Sequence, residues 1–323
     1  MLHPDTEAVL LLCGRFGRPQ ENGVSPLELH EFNHLAQWLE ERNMRPAGLL
    51  DVSEMDLNDL GPPIPVARLL ALLQRGSALA LAVESWESRG LWVLSQSDEL
   101  YPSRLRQLGP RAPPVLYGAG DCGLLSDESQ TVAVVGSRHV DESAEEFTRS
   151  ISHVCGRQGI RVVSGAAKGV DSVAMWAALD AGGTVIGVLA EGVTRAAMAG
   201  GNPAALADGY MVFISPYDPN VGFNVGNAMG RNKYIYALAD AALVVSAALG
   251  AGGTWAGAIE ALKRGTTPVF VRVQEPVPEG NMKLLEEGAC AFPDEPWDDL
   301  AGWLSSLRVD EAPDLSPMQG RLW

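Results

Sequence analysis

Residues 131–140 read Thr-Val-Ala-Val-Val-Gly-Ser-Arg-His-Val, a short apolar, β-branched run that stops at Gly136-Ser137-Arg138. A run of this length bounded by glycine predicts a strand buried on both faces of a sheet. The next stretch, Asp141 through Cys155, is acidic and amphipathic, with Ala144, Phe147, Ile151 and Val154 at helical spacing. A second apolar run, Ile160 to Val163, then ends in Ser164-Gly165-Ala-Ala-Lys168-Gly169-Val-Asp171. Strand, helix, strand in this order predicts a right-handed βαβ unit and a parallel sheet. Each strand ends in a turn of small residues bearing one cation, Arg138 or Lys168. In a parallel sheet such turns lie side by side at the carboxyl ends, where ligands bind. Glycines allow close backbone approach, and helix starts present N–H groups to phosphate. These residues alone predict an α/β domain that binds phosphate.

Further along, Thr184–Leu189, Tyr210–Ser215, Ala241–Ser246 and Thr267–Val273 read as additional buried strands, the last closing the sheet. Met175 and Trp176 read as core residues of a helix over 172–179 opened by Asp171, and residues 194–208 as a loop. Arg231, Asn232 and Lys233 stand just before a helix over Tyr234–Ala239. If that turn faces the crevice, Arg231 joins Arg138 and Lys168, and three converging cations call for an anion. Gly252-Gly253-Thr254 follows the strand at 241–246, with Thr254 able to cap a helix or to donate a hydroxyl to phosphate. Trp255 either packs or stacks on a base.

The motifs together resemble the DNA-processing protein A family (DprA, also called Smf). The resemblance rests on GSR at 136–138, SGAAKGVD at 164–171, Gly182 through Leu189, Phe223 through Lys233 with Ile235, and Gly252-Gly253-Thr254. It covers roughly Gln130 to Val273, with a looser echo in Tyr101-Pro102 and Pro113-Pro114-Val-Leu-Tyr117-Gly118. It implies a Rossmann-like, mostly parallel sheet flanked by helices, single-stranded DNA as ligand, a homodimer, and handover of the strand to a RecA-type recombinase. Roles in DNA uptake, natural transformation and recombination belong to the same implication. The DNA- and phosphate-binding residues it implies are Gly136, Ser137, Arg138, Ser164, Gly165, Lys168, Gly169, Asp171, Arg231, Asn232, Lys233, Gly252, Gly253 and Thr254. Two positions depart from the pattern. Met175 stands where the family usually has histidine, and Lys233 replaces an arginine, keeping the charge without the planar fork.

The chain divides into four expected segments: a helical domain at 1–82, either a small bundle packing on the sheet domain or a unit resembling a sterile-alpha-motif or helix-hairpin-helix, a sheet-extending bridge at 83–130, the core at 131–275, and an acidic C-terminal extension at 276–323. Tyr101 and Tyr117 in the bridge read as packing residues. The extension has one helical piece around Trp297–Leu307, too few cations for a winged helix, and an end at 313–323 expected to fray. The net charge of −16 lies in the flanks: segment 1–130 carries −8, segment 131–275 carries −1, and segment 276–323 carries −7. This allows a local cationic pocket and argues against a broad basic face.

His30-Glu31-Phe32-Asn33-His34 has the HExxH spacing of a zinc protease, with both imidazoles on one helix face. The helical region supplies no third ligand, and Leu27, Phe32, Leu35 and Leu39 read as the packing side of an ordinary helix. No metal or cofactor is expected. Four scattered cysteines without a CxxC pair, no basic leader and no ~20-residue apolar run suggest a cytoplasmic protein.

Two other functions fit the same motifs. One is a sensor for a small nucleotide-derived ligand, which an acidic surface around one cationic pocket would suit. The other is a phosphoribohydrolase of the "lonely guy" type, whose GGxGTxxE motif carries a catalytic glutamate. Here Gly257 occupies that place and the first acid is Glu260, so no catalytic residue is assigned and a non-catalytic binding protein is expected.

Overall fold

The computed structural model of the chain describes residues 2–16, 23–126, 128–199 and 203–309. Among these residues nine strands form one sheet: β1 Leu91–Ser95, β2 Val115–Gly120, β3 Thr131–Gly136, β4 Arg161–Ser164, β5 Val185–Val188, β6 Met211–Ser215, β7 Ala241–Ser246, β8 Val269–Val271 and β9 Cys290–Ala291. Their order is β1-β2-β6-β5-β4-β3-β7-β8-β9. The seven strands from β6 to β9 run parallel, and β1 and β2 extend one edge antiparallel.

Helices α1 Pro4–Cys13, α2 Leu29–Glu40, α3 Glu54–Leu60, α4 Val66–Leu73 and α5 Gly76–Glu87 precede the sheet, and α6 Ser103–Arg106 lies between β1 and β2. The crossovers use α7 Glu142–Arg157, α8 Val170–Asp180, α9 Val193–Ala199, α10 Pro203–Ala207, α11 Val225–Ala237, α12 Gly252–Arg264 and α13 Glu279–Glu286, and α14 Leu300–Val309 follows β9.

The unbroken apolar runs of the central strands follow from burial on both faces. In β3, Val132 and Val134 enter the core beneath α7 and α8, while Ala133 and Val135 enter the core beneath α11 and α12. In β7, Leu243 and Val245 alternate in the same way with Ala242 and Val244. Each such Val or Leu side chain contributes about 1.5–3 kcal/mol on leaving water.

The N-terminal helices join the first of these cores: Leu10, Leu12 and Leu35 belong to it together with Tyr117, and Trp86 meets the Tyr117 ring edge-on at 5.2 Å. The Thr6 hydroxyl donates to Asp98 at 2.6 Å, tying α1 to the turn after β1. Tyr101 and Tyr117 pack, as their sequence predicts, at 1% and 3% exposure. The Tyr101 hydroxyl donates to the Pro113 carbonyl at 2.8 Å. In α2, Glu31 is held by the Arg68 guanidinium at 2.9 Å and closes a capping box on the Glu28 N–H. His30 and His34 are exposed, while Phe32, Leu35 and Leu39 face the core. The HExxH spacing therefore belongs to a capped packing helix.

Several boundaries differ from the sequence expectations. The region 194–208 holds two short helices, α9 and α10, with residues 200–202 between them outside the described set. Helix α11 begins at Val225, nine residues before Tyr234; the Asn224 side chain caps it by accepting from the Asn227 N–H. Gly226 and Gly230 disguise these turns as loop in the sequence. The strand at 267–273 does not close the sheet: β9 pairs outside it, and two residues are too few to show alternation. The segment after β8 also carries α13, and its aromatics pack back on the domain. Trp303 lies 4.8 Å from Phe270 and Trp297 lies 5.5 Å from Phe147. Trp176 is not a core residue; it is 36% exposed, one position round the helix from Met175 at 4%. The end at 313–323 lies outside the described residues. Among the described residues, no single helix is long and apolar enough to cross a membrane.

Candidate functional site

Strand β3 pairs with β4 on one side and β7 on the other. The chain therefore winds outward in both directions from β3, and the loops after β3 and β7 separate at their carboxyl ends. Such a switch point is where open α/β sheets hold ligands. A crevice of about 340 Å³ lies there. Gly136, Ser137 and Arg138 line it from β3, Asp171 from α8, Arg231 and Asn232 from α11, and Gly252, Gly253 and Thr254 from the start of α12.

The other expected site residues stand outside this lining. Ser164 is fully buried and donates its hydroxyl to the Val134 carbonyl at 2.7 Å. Gly165 lies beneath the Arg231 guanidinium, where a Cβ would come within 2.2 Å of Nη1. Gly169 adopts φ +86° at the head of α8, against the Ser137 carbonyl. These three shape the crevice from behind. Lys168 is exposed beyond its rim. Lys233 lies off the crevice, over the Tyr234 ring and among Glu260, Arg111 and Arg264. Successive helical residues point about 100° apart, so Arg231, Asn232 and Lys233 cannot share one target.

The cations differ from the expected triad. Arg231 is buried, at 5% exposure, and donates to the Val188 carbonyl. Burial lowers its pKa, and the nearby Asp171 carboxylate opposes that effect. Burial likewise raises Asp171 to about 6, against the pull of Arg231 and of backbone hydrogen bonds from Ala167, Gly136 and Gly165. Arg231 thus has a carboxylate at hand, and the expected pressure of three unpaired cations is absent from this structure. Two buried polar atoms beneath the crevice have no hydrogen-bond partner among the described residues: Arg231 Nε and the Tyr236 hydroxyl. A buried polar group left in this way costs about 1–3 kcal/mol.

The mouth is different in character. Arg138 is exposed, with its guanidinium 5.2 Å above the Phe223 ring. Phe223, Val225 and Met229 are 48%, 71% and 41% exposed, so an apolar shelf borders the cation. Phe223 opens the 223–233 motif, but only its half-exposure sets it apart from a core aromatic. Thr254 does not cap its helix. Its hydroxyl donates to the Gly136 carbonyl at 2.9 Å, and Ala251 at the cap position offers no side-chain acceptor. The start of α12 therefore borders the crevice without a side-chain cap, and with it the positive end of the helix dipole.

Gly257 is a packing residue. A Cβ there would lie 3.1 Å from the Tyr236 ring and 3.3 Å from the Asn232 Cβ, so a larger residue would press on the α11–α12 contact. Glu260 stands outside the crevice lining, paired with Arg111 at 3.4 Å. Met175 packs against Gly187, where a Cβ would meet its methyl at 3.1 Å. Trp255 is partly buried against the α11–α12 core. Among the described residues, no three His, Cys, Asp or Glu side chains cluster at metal-binding distance.

The family model for "DNA recombination-mediator protein A" matches residues 92–300, from β1 to the start of α14. The DNA processing protein DprA of Bacillus subtilis is 26% identical over 219 residues, spanning 66% of this chain and 72% of that protein. A putative DNA processing protein DprA of Mycobacterium tuberculosis is 33% identical over 216 residues, and the match spans 62% of this chain and 55% of that protein. The crystal structure of DprA from Streptococcus pneumoniae aligns with a TM-score of 0.66 at 22% identity, over 82% of this chain and 90% of that one. DprA from Helicobacter pylori, whose structure concerns its single-stranded DNA binding mode, aligns at 0.54 and 24% identity, over 68% of this chain and 96% of that one. At these identities the structural likeness is one of fold.

Proposed function

The chain belongs to the DNA recombination-mediator protein A (DprA/Smf) family, and from that premise we propose that its crevice binds single-stranded DNA without making or breaking a covalent bond. The observation that carries this reading is Arg138 poised over the half-exposed Phe223 ring at the crevice mouth. A single strand offers a phosphate for the cation and an unstacked base for the aromatic face at adjoining positions. A duplex keeps its bases stacked and leaves the shelf of Phe223, Val225 and Met229 without a partner. A lone phosphate ion satisfies only the cation. The uncapped start of α12 supplies further N–H donors for a backbone phosphate.

Gly257 in place of a catalytic glutamate supports a binding role over hydrolysis. Homodimerisation, handover to a RecA-type recombinase, action on incoming or processed DNA and a cytoplasmic location come from the family resemblance and belong to the same proposal. The second reading, a nucleotide sensor, is favoured by the chain's net charge of −16 around one crevice that holds Arg138 and Arg231, which suits a small anion. Competition separates the two. A labelled oligothymidine should be displaced by unlabelled single strand and withstand mononucleotides; displacement by one mononucleotide at similar concentration would establish the sensor instead.

A further inference from the structure

On the strength of the crevice reading, we infer a second phosphate contact on the same strand, at the cluster of Arg111, Lys233 and Arg264 around Glu260 between α11 and α12. The crevice and this cluster lie along one helix pair. At the crevice end, the Asn232 side chain donates to the Gly253 carbonyl at 2.9 Å. One turn further, α11 and α12 meet at Gly257. One turn beyond that, Glu260 receives Arg111 at 3.4 Å and Arg264 at 4.0 Å, with Lys233 in electrostatic reach of all three. From Gly253 to Glu260 the helix rises about 10 Å, which a strand of a few nucleotides spans.

The charge of the cluster does not balance. Among the described residues three cations share one carboxylate, leaving an excess of two positive charges on a chain whose net charge is −16. Arg111 also bonds through its backbone: its carbonyl accepts from the Tyr234 hydroxyl at 3.3 Å, which fixes this turn beside α11. The side chains of Arg111 and Glu260 are 55% and 39% exposed, so the cluster is open to a polymer. An anion that is both extended and repeatedly charged fits it best, and a strand leaving the crevice is such an anion. The sequence motif placed Lys233 with Arg231 in one pocket; the helix assigns it to a different phosphate.

The test compares a dinucleotide, too short to reach from the crevice to the cluster, with a strand of about 16 nucleotides on the full chain. The double variant Arg111→Gln, Arg264→Gln should bind the short strand as wild type does and the long strand more weakly, with a salt slope shallower by about 0.7 for each lost contact. Glu260→Gln, which removes the opposing carboxylate, should bind the long strand more tightly. Retained short-strand binding also reports that the double variant is folded. A wild-type salt slope in the double variant, or unchanged long-strand affinity in Glu260→Gln, overturns the second contact while leaving the crevice reading intact. Failure of the wild type to bind either length overturns both.

Discussion

Arg231 and Asp171 are buried together beneath the crevice because Gly165 leaves them the room. A Cβ at Gly165 would stand 2.2 Å from Arg231 Nη1 and 2.5 Å from Asp171 Oδ2. Both side chains are fixed from other directions, by the Val188 carbonyl and by the backbone N–H groups around Asp171. Gly165→Ala should therefore destabilise the fold by about 1–3 kcal/mol and weaken strand binding. Thermal unfolding measured beside a binding titration checks both; a variant with wild-type stability would show that the pair is loosely held.

The same pair makes binding sensitive to pH. Asp171 titrates near 6 in the folded chain, above its ordinary value of 3.8. At neutral pH its carboxylate offsets Arg231 and opposes an incoming phosphate. Protonation leaves the charges of Arg231 and Arg138 unopposed, so affinity should rise as pH falls through about 6. The linked effect on stability has the same sign. The folded state binds this proton more tightly than the unfolded chain, so its stabilising contribution is full below the unfolded value and is lost as pH rises through about 6. Asp171→Asn should flatten the affinity profile across that window. A variant profile parallel to the wild type assigns the dependence to other groups.

Phe223→Ala should weaken single-strand binding by about 1–3 kcal/mol, the worth of one stacked base, and leave the salt slope unchanged because no phosphate contact is lost. Fluorescence anisotropy at two salt concentrations measures both quantities. Equal affinity in the variant would remove the ring from the site.

Gly257→Glu restores the glutamate of the GGxGTxxE pattern but should not create a hydrolase. The side chain would enter the contact with Tyr236 and Asn232, and the expected result is a lower melting temperature with no base released from nucleoside monophosphates. Release of free base by this variant would show that the site retains hydrolytic geometry.

How much of this was legible in the sequence depended on whether a feature was local. The strand at 131–136 with its glycine and Arg138 could be read directly, since a doubly buried strand leaves an unbroken apolar run. The nearness of Arg231 to Asp171 could not, because it brings α11 to α8 across the sheet ends. Three consecutive polar residues, Arg231 to Lys233, looked like one binding group; inside a helix they point to the floor, to α12 and to the outer cluster. Gly226 and Gly230 hid that helix. Thr254 looked like a cap because it followed glycines, yet its hydroxyl is committed to Gly136 on the neighbouring strand.

The most direct test of the crevice as a single-strand site is a salt titration of binding to labelled single-stranded DNA, run with the wild type and with Arg138→Ala. The expected result is an affinity that falls linearly with the logarithm of salt concentration, and a slope shallower by about 0.7 once Arg138 is lost. Identical slopes for the two proteins, or binding indifferent to salt, would contradict the assignment of Arg138 to a backbone phosphate.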